Sequence, residues 1–143
     1  MANFPELKKT YMSYGNTSYI LEKNKKKKLK TNSVINVKKT KILCNFHNQN
    51  KNLKFLKKLY KLNKNISRIT LDAFSYCLLA EGKLDAVIES NLKIYDVAAI
   101  IPIVENAGGF ITTWNNKNAE KAGNILATSN KKLHYKLLKI IKS

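Results

Sequence analysis

From residue 41 to the end of the chain, the hydrophobic period switches repeatedly between that of a strand and that of a helix. KILCNF (41–46) is a short apolar run that predicts a buried strand. Residues 51–63 place Leu53, Leu56, Leu59, Tyr60 and Leu62 near helical spacing among lysines, which predicts an amphipathic helix. A short strand over 66–69 follows. The next helix has Thr70 as N-cap, Asp72 in its first turn, Phe74, Cys77, Leu78 and Ala80 on its apolar face, and Gly82 as its stop. LDAVIE (84–89) alternates as a strand, 97–107 is a helix closed by Gly108 and Gly109, and 109–114 and 124–128 are strands. KKLHYKLLKIIK (131–142) is a last amphipathic helix. Strands and helices in alternation can bury their apolar faces only in layers. The predicted class is therefore α/β, a layered sheet flanked by helices.

The first 40 residues have a different texture. Residues 9–20 carry aromatics on both sides of Gly15-Asn16, which suits two short strands joined by a turn, and 28–31 and 33–37 are further candidate strands of this hairpin region. Lys23–Lys28 is the one low-complexity run and reads as a solvated loop or hairpin tip. The chain thus divides into a hairpin region, 1–40, and an α/β unit, 41–143.

At 143 residues with 44% apolar content, the chain suits one domain with a true core. Cys44 and Cys77 are far apart and match no metal spacing, which points to a reducing compartment. MANFPELKKT has no apolar leader segment, and the longest apolar run, Val97–Val104, is far too short to cross a bilayer. A cytoplasmic protein without membrane partners is expected.

The net charge of +18 suggests nucleic acid, but the composition argues against it. The basic residues are 26 lysines and one arginine, Arg68, so the usual bidentate reader of phosphate and bases is nearly absent. Lysine is accompanied by 18 asparagines and 14 isoleucines, all with A/T-rich codons, so coding bias accounts for it. The charge is also uneven: residues 1–71 hold 18 basic and 2 acidic groups, and residues 72–143 hold 9 and 7. A basic nucleic-acid binder is kept as the weaker alternative, and nucleic acid is not the expected partner.

Asp96 opens a helix in IYDVAAIIPIVENAGG (94–109). Its simplest role is an N-cap, accepting backbone N–H bonds at the positive end of the helix dipole. Mg²⁺ needs several hard oxygens, so one carboxylate makes no metal site. Pro102 falls inside the predicted helix and should kink it. Glu89 reads as a strand-end acid and Asp72 as a first-turn helix acid. His47 and His134 are isolated, with His134 expected on the surface. Ser75 and Ser129 lack a nucleophile-elbow context.

The run LDAFSYCLLA (71–80), then Gly82, Asp85 and Glu89, then Tyr95-Asp96-Val97-Ala98-Ala99 and Glu105-Asn106-Ala107-Gly108-Gly109 resembles the C-terminal signature of the inositol monophosphatase-like family. In that pattern W/Y-D-x-A-A is followed by E-A-G-G. LDAFSY and the proline in the helix look most like the histidinol-phosphate phosphatase branch. The likeness is strong over 66–143 and weaker over 5–45. It implies the C-terminal half of the family's αβαβα fold and Mg²⁺-dependent hydrolysis of small phosphomonoesters, in which carboxylate-held metal ions activate the attacking water. It implies Asp96 as a metal ligand, Glu89 as a contact to a substrate hydroxyl or amine, and Asp72 as a substrate-side carboxylate. A homo-oligomer is also a possible state.

The Glu-Glu pair and the Asp-Pro-x-Asp-Gly-Thr run that build most of the family's metal site do not occur here. No two acidic residues are adjacent, and the only prolines are Pro5 and Pro102. Thr113 stands where the family often has Asp, and Asn115-Asn116 where Asp-Gly is usual. No catalytic residue is assigned to this chain. The leading expectation is a split or truncated phosphatase completed by a separate chain carrying the other half. The alternative is an inactive remnant with a binding or structural role.

Overall fold

In the computed structural model, residues 1–46, 54–69 and 71–143 are described. Two sheets organise them. The first is antiparallel, in the order β1 (Ala2–Phe4), β2 (Lys9–Tyr14), β3 (Thr17–Glu22), β4 (Lys25–Lys28). The second has five strands in the order β6 (Ile66–Ser67), β5 (Ile42–Phe46), β7 (Ala86–Leu92), β9 (Gly123–Thr128), β8 (Phe110–Thr113). In it β6, β5 and β7 run parallel, and β9 is antiparallel to both β7 and β8. The helices are α1 (Lys54–Leu62), α2 (Ala73–Ala80), α3 (Ile94–Val97), α4 (Ile100–Glu105) and α5 (Lys131–Ile141).

The layers follow from which side chains meet. One core joins Tyr11, Ile20 and Leu29 of the first region to Tyr76, Leu79, Ile100 and Ile103 of α2 and α4, and to Val87 and Ile125 of the second sheet. A second core, on the other face of that sheet, joins Ile42, Cys44 and Ile88 to Phe55 and Leu59 of α1 and Leu133 and Leu137 of α5. The order is sheet, helices, sheet, helices, as the alternating periods require.

The hairpins depart from expectation in one respect. Gly15, at φ +56°, turns β2 into β3 with Tyr14 opposite Thr17. Lys23 and Asn24, both with positive φ, form the next two-residue turn, and Lys25–Lys28 is a strand rather than a loop. An edge strand can carry four solvated lysines while its backbone bonds to β3, and the lysines block further pairing. No strand forms over 33–37; instead Leu29 is buried and the Thr31 N–H donates to the Ala107 carbonyl, tying the connection to the end of α4.

The predicted helix over 97–107 is two short helices, α3 and α4. Pro102 is the third residue of α4, where a helix leaves its N–H without an intrahelical partner in any case. The proline therefore starts a new helix instead of kinking a long one. Gly108 takes φ +99°, and the Gly109 N–H donates to the Val104 carbonyl, so the glycine pair is a helix stop.

Thr70, expected as the cap of α2, lies outside the described residues, as do His47 and the first three residues of the predicted 51–63 helix. Cys44 and Cys77 are free and buried. Among the described residues no helix is long and apolar enough to cross a membrane.

Candidate functional site

Parallel strands β5 and β7 end at the same side of the second sheet, the usual place for a ligand crevice in a layered α/β fold. A cleft of about 540 Å³ lies there. Asp72 and Tyr76 line it from α2, Glu89 from β7, and Lys93, Tyr95 and Asp96 from the entry to α3. The three carboxylates singled out in the sequence thus share one cavity, and they are three of only nine acidic residues in a chain of net charge +18.

Each carboxylate is held differently. Asp96 is exposed, and its Oδ2 accepts the Lys93 backbone N–H at 2.7 Å. Lys93 is the N-cap of α3 and Asp96 its third residue, so Asp96 caps the helix by reaching back and is not itself the N-cap. Glu89 is 2% exposed, and its Oε2 accepts the Tyr76 hydroxyl at 2.7 Å. Burial, followed by the neighbouring Glu89 charge, pushes the Tyr76 phenol well above its usual range, so it stays a neutral donor.

Asp72 is exposed and occupies the N-cap of α2, one residue earlier than the predicted first turn. Its side chain makes no capping hydrogen bond, and its backbone, at φ +43° and ψ −132°, is in a region that L residues rarely adopt. Such a conformation costs about 1–3 kcal/mol and persists where surrounding structure imposes it.

Tyr76 is the functional-site residue that sequence reasoning left without a role. The available signal was its spacing: four residues after Asp72 on a helix, it lies on the same face. His134 is a correction. Expected on the surface, it is fully buried, with Nε2 2.8 Å from Thr112 Oγ1 and Nδ1 3.0 Å from Thr128 Oγ1. Its spacing to Leu137 and Leu138 puts it on the apolar stripe of α5, which packs against β9.

Mg²⁺ requires near-octahedral oxygen coordination. Asp96 offers a solvent-accessible carboxylate, one oxygen of which is engaged by Lys93. Among the described residues no group of three or more His, Cys, Asp or Glu is arranged to hold a metal ion. The described residues of this chain do not by themselves make a Mg²⁺ site, and no catalytic step is assigned to them.

The profile of the inositol monophosphatase family matches residues 2–143. The chain belongs to the inositol monophosphatase family. It is 48% identical over 60 residues to the chloroplastic bifunctional phosphatase IMPL2 of Arabidopsis thaliana, covering 41% of this chain and 17% of that protein. It is 37% identical over 58 residues to the histidinol-phosphatase of Mycobacterium tuberculosis, covering 41% of this chain and 22% of that one. The fold matches the extragenic suppressor protein SuhB of Bartonella henselae with a TM-score of 0.73 at 24% identity, over 89% of this chain and 54% of that chain. The family member thus spans about half the length of that solved relative, and less of the two curated ones. The α/β class with an antiparallel N-terminal sheet, expected from the resemblance, is the fold observed. In the turn where the sequence departs from the family pattern, Thr113 Oγ1 accepts the Lys117 N–H and Asn116 takes φ +61°, so a threonine and an asparagine still close it.

Proposed function

We propose that this chain is the substrate-facing half of a Mg²⁺-dependent phosphomonoesterase of histidinol-phosphate or inositol-phosphate type. A second polypeptide portion would carry the Glu-Glu and Asp-Pro-x-Asp-Gly carboxylates. Residues 1–40 contribute part of the central sheet and 41–143 the C-terminal subdomain. Asp96 is the metal ligand contributed by this chain, Glu89 receives a substrate hydroxyl or amine, and Asp72 is the second substrate-side carboxylate.

The observation that carries this reading is the shared cleft. Asp72, Glu89 and Asp96 come from three different elements and converge on one cavity in a family whose curated relatives are phosphatases. An acid-rich wall suits a cationic or polyhydroxylic substrate body, and a metal ion would offset its repulsion of the phosphate.

The test is phosphate release from histidinol phosphate and from inositol monophosphate, with and without Mg²⁺. This chain is assayed alone and mixed with a polypeptide carrying the missing motifs. Release only from the mixture with Mg²⁺ is expected. Release by this chain alone contradicts the two-part reading, and a silent mixture leaves a remnant with a structural or binding role.

A further inference from the structure

The first sheet is covered on one side only. Tyr11, Ile20 and Leu29 point into the core with α2 and α4. Strand alternation sends Met12 and Tyr14 of β2, and Tyr19 and Leu21 of β3, to the opposite face. There Tyr14 is 83% exposed and Leu21 38% exposed, while Met12 and Tyr19 are half-buried by their neighbours. Register places Lys26 beside Leu21 and Lys28 beside Tyr19 on this same outward face, with the Lys26 ammonium 4.0 Å from the Tyr19 ring centroid. The result is an apolar strip bordered on its β4 side by lysines.

Three observations select an occupant. The layers already alternate between sheet and helices, so a helix continues the order on a bare sheet face. The border is cationic and lies in the half of the sequence with 18 basic and 2 acidic groups, which fits an anionic flank. A second copy of this chain would bring two lysine borders together, which is unfavourable. The solved Bartonella henselae relative also has nearly half of its chain outside the matched portion, so the family has polypeptide available for such a layer.

We propose that the outward face of β2–β4 docks a polypeptide partner through an amphipathic helix whose apolar stripe covers Met12, Tyr14, Tyr19 and Leu21, and whose acidic flank meets Lys26 and Lys28. The proposal rests on the two-part reading only for the identity of that partner. The surface itself is tested without any assay of activity.

The test uses the full chain and three synthetic helical peptides of equal length. One has a leucine stripe flanked by glutamates, one the same stripe flanked by lysines, and one the glutamates with a polar stripe. Binding is read by fluorescence anisotropy at physiological salt. The leucine–glutamate peptide is expected to bind at least tenfold more tightly than either control. Binding should weaken at least tenfold in the double variants Tyr19→Ser/Leu21→Ser and Lys26→Ser/Lys28→Ser. It should be unchanged in Lys132→Ser/Lys139→Ser, which removes equal charge on α5; thermal melts confirm that each variant folds. Equal loss in both lysine variants would mean charge attraction without a site and would overturn the proposal. So would concentration-dependent self-association abolished by Tyr19→Ser/Leu21→Ser, which makes a second copy the occupant. Peptide binding as expected with no phosphate release from any mixture would retain the surface and discard the phosphatase reading.

Discussion

The hydroxyl of Tyr76 donates to Oε2 of Glu89 across 2.7 Å, linking α2 to β7 beneath the cleft, with both side chains at most 2% exposed. A buried carboxylate is tolerated only when its oxygens are hydrogen-bonded, and a neutral phenol is a suitable donor. Tyr76→Phe keeps the ring and removes this donor. The variant should lose about 1–3 kcal/mol of stability in urea unfolding. An unchanged unfolding midpoint would show that the bond contributes nothing in solution.

Asp96 carries two roles that substitution can separate. Its carboxylate accepts the Lys93 N–H, so Asp96→Ala should cost about 0.5–1 kcal/mol by loss of the cap, whereas Asp96→Asn retains an acceptor and should cost a few tenths at most. As a metal ligand, the carboxylate charge is what matters. In the assembled enzyme both variants should therefore lose Mg²⁺-dependent turnover alike. Full activity of Asp96→Asn would confine Asp96 to the cap.

His134 makes stability depend on pH. Burial pushes its imidazole down to about 4, and a backbone hydrogen bond at Phe110 opposes this only in part. The Thr112 hydroxyl donates to the Thr113 carbonyl, so it accepts from His134, which fixes the neutral tautomer with hydrogen on Nε2. The folded pKa lies below the unfolded value near 6.5, so the unfolded chain binds more protons between them. The contribution is complete above about 6.5 and is lost as pH falls toward about 4, amounting to roughly 3 kcal/mol. Urea unfolding across that range should show this decline in the wild type and a shallower one in His134→Gln. Identical slopes would remove His134 as the cause.

Gly109 is required for close approach. A Cβ there would lie 2.7 Å from Val104 Cγ1 and 3.0 Å from both the Thr128 and Val104 carbonyl oxygens. Two of those contacts are with backbone, so Gly109→Ala should destabilise by about 1–3 kcal/mol or more. A variant melting like the wild type would mean that the α4–β8 corner relaxes more readily than its packing suggests.

The alternating periods of residues 41–143 and the turn at Gly15-Asn16 were legible because they are set by side chains a few residues apart, and so was the capping role of Asp96, whose partner is three residues away. The break into α3 and α4 was only half legible. Pro102 marked a disturbance, but whether it kinks a helix or begins one depends on where Ala98 and Ala99 are carried. Lys25–Lys28 became a strand because β3 offered it a backbone edge, which no local propensity of four lysines encodes.

The site shows the same division. Sequence alone determined the family pattern and the candidate carboxylates, because motif spacing is a property of the chain. Only the tertiary structure decided that Asp72, Glu89 and Asp96 share a cavity, that Tyr76 holds Glu89, and that His134 is buried. Each of these depends on which layer packs against which, and that is settled by the burial of side chains distant in sequence.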